Sequence, residues 1–242
     1  SAPDGTTWLM SYSGTHAINP ALYGKMPFDP KKDLAPLASL ATLPFVLVIN
    51  PQLPYKTLAE YVAYAKANPG KINISSSGNG SVNHLLNEML GTAAGIQTSH
   101  IPYKGAASAL NDVMSGQVQG FYASAPSVMG QIKSGAVIPL AAAATCRAEA
   151  LPNVPTFAEA GYPALAVDSW FAFFVQGNTP QELKSQIHAE INKVLADPVV
   201  VEQLSQRGAA TMSTSLDAFQ KIVDKDMETW GATVRASGAK ID

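Results

Sequence analysis

A single cysteine, Cys146, stands in the 242 residues, which excludes an internal disulfide and any metal site built from several thiolates. A lone thiol behind an alanine-rich run is ordinarily inert unless a base approaches it in space. Charge is also sparse: Asp, Glu, Lys and Arg make up 14% of the chain, the formal net charge is -2, and no basic cluster appears. DNA and RNA are therefore not expected as partners. The longest apolar run, Ala136 to Ala144, is too short to span a bilayer and contains Pro139. The opening SAPDGTTWLM has neither a basic start nor an apolar stretch behind it, so no signal peptide is read there. His16, His84, His100 and His188 do not fall at metal-ligand spacing, and His84 reads as a structural histidine. No metal and no cofactor are expected.

What is present is enough apolar residue, 47% of the chain, to bury a core in one large or two small domains. Strands and helices alternate along it. Thr7 to Tyr12 reads as a strand, followed by a polar loop at Ser13 to His16 and a short helix with Asn19 as N-cap and Pro20 at its first position. Lys25 to Pro36, rich in Pro and Asp, is expected to be loop. Leu43 to Asn50 is a continuous apolar run, as in a strand buried on both faces. Thr57 with Glu60 forms a capping box for a helix ended by Asn68, Pro69 and Gly70. Further strands are read at Thr98 to Ile101, Val118 to Ala123, Val137 to Thr145 and Ser169 to Gln176, and a short helix is read between Thr156 and Gly161. Thr179, Pro180 and Glu182 read as N-cap, first position and capping acid of a helix with Leu183, Ile187, Ile191, Val194 and Leu195 inward. The last helix starts near Ser215 and carries Phe219, Val223, Trp230 and Val234 on one stripe before Gly238. This alternation argues for α/β layers with largely parallel sheets, which bind ligands at the carboxyl ends of their strands.

One stretch carries chemistry on its own. In Ile72 to Gly91, INISSSGNGSVNHLLNEMLG, an apolar strand breaks into a serine and glycine loop and then a helix. Ser81 sits where an N-cap belongs, and Gly91 closes the apolar face. The first turn of such a helix stabilises a carboxylate or phosphate through unpaired N–H groups and the macrodipole, with no Lys or Arg needed. Gly78 and Gly80 let backbone approach a ligand, and Ser77 and Ser81 add hydroxyls. The same order of residues also suits a plain strand-to-helix turn that binds nothing.

The segments SGTHAINPALY, VLVINPQLPYKTLAEYVAYAKANPGKINISSSGNGSVNHLLNEML, HIPYKGAASALNDVMSGQV, LPNVPTFAEAGYP and SWFAFFVQGNTPQEL together resemble the Bug (TctC-like) family of extracytoplasmic solute receptors. These serve tripartite tricarboxylate transporters. The resemblance implies a two-lobed type II periplasmic binding protein fold, a Venus flytrap. Residues 1–49 and 170–242 would form the first lobe and 50–169 the second. It also implies that the strand, loop and helix that open other members ahead of DGTTWLM are missing from the first lobe. The matching ligand-binding positions are Ser13, Gly14 and Thr15 in the first lobe and Ser77, Gly78, Gly80, Ser81, Tyr103, Lys104 and Gly105 in the second. Ser124 and Trp170 are further candidates, although an aromatic residue in a strand is more often core. The expected partners are a small organic acid or amino acid and the membrane components of a tripartite tricarboxylate transporter; a periplasmic monomer is expected. The rival from another class is an enzyme that uses the same loops as an oxyanion site. Against it, the sequence places no nucleophile, base and orienting acid together.

Overall fold

The computed structural model describes residues 1–23 and 26–238. The chain forms two compact units, one made of Ser1–Thr42 with Ser169–Asp242 and the other of Leu43–Asp168. In the first stretch, β1 (Leu9–Tyr12) leads into a π-helical turn, Gly14–Ile18, that continues into α1 (Asn19–Leu22). The polar loop expected at Ser13 to His16 is therefore helical, with Ser13 already at φ -49° and ψ -40°. Pro20 has no N–H for the carbonyl four residues earlier, and the ladder is widened just before it. β2 (Leu34–Leu43) replaces the end of the loop expected over Lys25 to Pro36, because Leu37, Ala38 and Ser39 bury completely. Lys25 lies outside the described residues, as does Gly24.

The second unit begins at Leu43. Its elements are β3 (Phe45–Ile49), α2 (Leu58–Ala67), β4 (Asn73–Ser76), α3 (Val82–Ala94), β5 (Ser99–Pro102), α4 (Ala106–Met114), β6 (Gly120–Ser124), α5 (Ala125–Lys133) and β7 (Ile138–Ala143). The strands lie in the order β5-β4-β6-β3-β7. β4 pairs parallel with β5 and β6, whereas β3 is antiparallel to both β6 and β7. Val46, Leu47, Val48 and Ile49 of β3 are fully buried, so the apolar run is covered on both faces as expected. The capping box of α2 is present, with Glu60 N–H bonded to Thr57 Oγ1 and Thr57 N–H to Glu60 Oε2. Thr156 and Glu159 exchange the same pair of bonds, yet the residues between them and Gly161 form a turn rather than a helix. A 3-10 turn, Pro163–Leu165, packs on α3.

The chain then returns to the first unit with β8 (Ser169–Gln176), α6 (Gln181–Leu195), α7 (Pro198–Ser205), β9 (Ala210–Thr211) and α8 (Leu216–Ser237). Its sheet has the order β1-β8-β2-β9, with β1 antiparallel to β8 and β2 antiparallel to β9. The expectation of largely parallel sheets is thus corrected in both units. Trp170, Phe174, Phe219 and Val223 form the packed centre between β8 and α8. Ser215 caps α8 as expected, accepting from Ala218 N–H at 3.2 Å. On α6 the cap is displaced: Pro180 is the N-cap, with extended angles, and Thr179 is buried beside it. Val194, expected inward, is 59% exposed, and of the proposed inner face only Leu195 is buried.

Candidate functional site

Because β4, β5 and β6 run parallel, their carboxyl ends share one edge of the second sheet. A helix starts just beyond each: α3 after the loop Ser77 to Ser81, α4 after Tyr103 to Gly105, and α5 directly after Ser124. The loops touch. Tyr103 N–H donates to Ser76 O at 3.0 Å, and a Cβ on Gly78 would stand 3.7 Å from Tyr103 O. Asn83 Nδ2 donates to Tyr122 O of β6. Each helix N-terminus favours an anion by about 0.3–1 kcal/mol at the surface and by up to about 2 kcal/mol when partly buried. Three helix N-termini lie at this one edge.

The loop before α3 is more self-contained than its composition suggests. Ser81 has the extended backbone of an N-cap, and its hydroxyl accepts from His84 N–H at 3.4 Å while donating to Gly78 O at 2.7 Å. Gly78 and Gly80 have φ of 126° and 71°, in the region that favours glycine. Their amides turn inward: Gly78 N–H donates to Ser76 Oγ and Gly80 N–H to His84 Nδ1, each at 3.1 Å. Ser81 N–H is bonded to Gly78 O at 3.2 Å, and Ser77 Oγ donates to Asn83 Oδ1 at 2.6 Å. The amides of Val82 and Asn83, the first two of α3, have no acceptor among the described residues. The amides of Ser77 and Asn79 likewise have none.

At the neighbouring turn, Tyr103 OH donates to Asp112 Oδ2 at 2.5 Å, and that bond, first among its causes, raises the phenol's pKa. Its hydroxyl is committed to α4. Lys104 is exposed, and Gly105 caps α4 without any side-chain bond. Ser124 Oγ donates to Ser127 Oγ at 2.9 Å, and Ala125 N–H is bonded to Pro44 O at 2.9 Å.

In the first unit, Ser13 is fully buried and its hydroxyl has no partner among the described residues. Gly14 lies under the Tyr12 ring, where any Cβ would collide with Tyr12 Cε2; Thr15 is exposed. Trp170 is placed in the core rather than on a wall. It is 1% exposed, its Nε1–H donates to Asp226 Oδ2 at 2.6 Å, and it meets the Phe219 ring edge-on at 5.1 Å.

Two histidines gather behind the α3 loop, and the sequence gives no sign of their pairing. His84 and His100 stack with centroids 3.8 Å apart and planes 9° from parallel. His100 Nε2 is 2.6 Å from Ser76 Oγ. Burial lowers the pKa of both rings, that of His100 to about 4 with a further contribution from His84, and burial raises that of Glu88, whose Oε1 is 3.8 Å from His84 Nε2. The β4–β5 register, in which Ile74 lies opposite His100, brings His100 to Ser76, and α3 packed on β4 carries His84.

The family model described as the tripartite tricarboxylate transporter family receptor matches residues 1–239. The chain belongs to that receptor family. It is 33% identical to BugT of Bordetella pertussis, over all of this chain and 74% of BugT. It is 32% identical to the UPF0065 protein of the tcbD-tcbE intergenic region in a Pseudomonas species, over 94% of this chain and 68% of that one. Among solved structures, the periplasmic binding protein BugD superposes with a TM-score of 0.86 at 28% identity, covering 99% of this chain and 81% of BugD. A Rhodopseudomonas palustris protein with adipate gives 0.90 at 28% identity, over 99% and 80% of the two chains. MatC from Rhodopseudomonas palustris with bound malate gives 0.84 at 27% identity, over 97% and 81%. The receptor thus has the two-lobed periplasmic binding protein fold expected from the sequence. No described helix of the receptor is long and apolar enough to cross a membrane.

Proposed function

We propose that this receptor works outside the cytoplasm, holds a small dicarboxylate at the strand ends of its second lobe, and passes it unchanged to the membrane components of a tripartite tricarboxylate transporter. The observation that carries the reading is the set of three helix N-termini at one edge, with the Val82 and Asn83 amides unpaired. Adipate and malate, bound by two relatives, both carry a pair of carboxylates. A carboxylate at α3 gains charge-assisted bonds worth about 1.5–3 kcal/mol each, and a second carboxylate has the α4 or α5 terminus and Lys104 within the same edge. The lobes of this reading are the two compact units. Ser13, Gly14 and Thr15 are proposed as the contribution of the first.

Binding without chemistry is part of the reading. Ser76 and His100 are in contact at 2.6 Å, as a nucleophile and base would be, but Ser76 is fully buried and its hydroxyl is tied to Gly78. It has no path to a substrate. Calorimetric titration with adipate, malate, succinate and the matching monocarboxylates tests the proposal. Saturable binding of a diacid recovered intact is expected, with a rise in stability of about 2.7 kcal/mol at a hundredfold excess over Kd. A panel in which no acid binds, or in which one is converted, overturns it.

A further inference from the structure

The loop that would hold the carboxylate is itself held from behind by the stacked imidazoles. His84 Nδ1 accepts the Gly80 N–H at 3.1 Å, which fixes the far side of the loop. His100 Nε2 meets Ser76 Oγ at 2.6 Å, and that hydroxyl in turn bonds both Gly78 N–H and Gly78 O at 3.1 Å. Both glycines sit at positive φ, so these bonds help keep their amides turned inward, while the Val82 and Asn83 amides at the start of α3 stay free, as do those of Ser77 and Asn79. The two rings lie face to face at 3.8 Å, so a disturbance of one reaches the other.

We propose that His84 and His100 are positioning residues for the anion site: as a neutral stacked pair they brace the Ser76 to Ser81 loop, and uptake of a proton by the pair releases the brace and with it the ligand. This rests on the receptor reading and adds its regulation. The chemistry is local. A proton arriving from solvent at His84 Nδ1 turns the acceptor of Gly80 N–H into a second donor, so that bond is lost. Two positive rings at this separation repel, so the pair takes up one proton. One facing group favours the charged pair: Glu88 on α3 places a carboxylate oxygen 3.8 Å from His84 Nε2, within ion-pair distance of a protonated ring, although burial raises the pKa of Glu88 and so weakens that charge. Tyr122 on β6 is buried, β4 contributes no charged side chain, and the 3-10 turn packed on α3 has none. Burial outweighs that carboxylate, since it lowers the pKa of both rings. The neutral pair is therefore favoured in the closed loop above about pH 6.5, the usual histidine value, and that preference is lost as the pH falls toward 4.

The test compares the wild-type receptor with His84→Asn/His100→Gln. Asn places an oxygen where Nδ1 accepted, Gln places an amide near Nε2, and neither titrates. In ligand-free protein, the protection factor of the Gly80 amide, corrected for intrinsic exchange, is measured at pH 7.5 and pH 5. It is expected to fall about tenfold or more in the wild type and to stay within about twofold in the variant. The Gly80 amide shift of the wild type should also follow the imidazole titration, a readout that does not depend on the variant folding. Kd for adipate is measured at the same two pH values; the acid's own titration is common to both proteins and cancels in the ratio. Adipate affinity lost more steeply in the wild type supports the brace. Equal pH dependence of both proteins, or wild-type Gly80 protection that does not change, overturns it while leaving the receptor reading intact. A pH-dependent Gly80 amide in a protein that binds no acid at either pH keeps the brace and removes the receptor reading.

Discussion

Ser81 is bonded to its own loop before it meets any ligand. Its hydroxyl holds Gly78 O at 2.7 Å and receives His84 N–H, so replacing it acts on loop shape as well as on a donor. Ser81→Ala should lower stability by about 1 kcal/mol, the usual loss of an N-cap, and weaken diacid binding by about 1–2 kcal/mol. Urea denaturation and titration calorimetry separate the two effects. Ser81→Asp is the sharper variant. Asp still caps the helix and suits its positive end, so stability should stay within about 1 kcal/mol of the wild type. Its carboxylate competes for the place of the ligand's, and affinity for adipate should drop at least about tenfold, or 1.4 kcal/mol. An Asp variant that binds as the wild type does would move the site away from α3. The strand, glycine and serine order of this loop was legible because N-capping is local chemistry. The inward turn of the Gly78 and Gly80 amides was not, since His84 and Ser76 decide it, and Ser76 is held by a histidine from the neighbouring strand.

Helix ends show the same divide between local and distant causes. The apolar stripe of α3 suggests a stop at Gly91, yet the helix runs to Ala94 and ends on Gly95, at φ 63°, with Ile96 N–H returning to Gly91 O at 3.0 Å. Nothing in GTAAG says which glycine takes the left-handed place; the burial of Ile96 selects the second. Gly95→Ala should therefore destabilise by about 1 kcal/mol. Gly130, inside α5 with open space around its Cβ position, should behave oppositely, Gly130→Ala stabilising by about 0.5–1 kcal/mol. Urea midpoints of the two variants test both assignments, and a shared sign would refute one of them. β2 was hidden for a related reason. Pro36 and the Asp-rich stretch before it read as loop, but Leu37, Ala38 and Ser39 are drawn into the core of the first unit by their neighbours. The antiparallel setting of β3 was equally unreadable, because it comes after β2 across Pro44 with no helix between them.

At the scale of the molecule, the chain leaves the first unit after Thr42 and re-enters it at Ser169. Periodicity alone could not show that discontinuity; it came from the resemblance of ordered motifs along the whole chain. Each unit also encloses an imidazole that prefers to be neutral: His84 and His100 in the second, His16 in the first. His16 is 4% exposed, stacks on Phe174 at 4.0 Å and lies 6.3 Å from Trp170. Desolvation among these rings lowers its pKa to about 4 from 6.5. The unfolded chain therefore binds a proton that the folded one refuses, and stability contributed by neutral His16 is complete above about pH 6.5 and lost as the pH falls toward 4. Across that window the loss is on the order of 3 kcal/mol. His16→Phe keeps an aromatic ring for Phe174 and removes the titration. Its unfolding free energy in urea should fall less steeply than that of the wild type between pH 7 and pH 4, the two curves converging on the acid side. Parallel curves would show that His16 takes up its proton as readily in the folded as in the unfolded chain, and that a carboxylate or solvent reaches it behind the Phe174 ring.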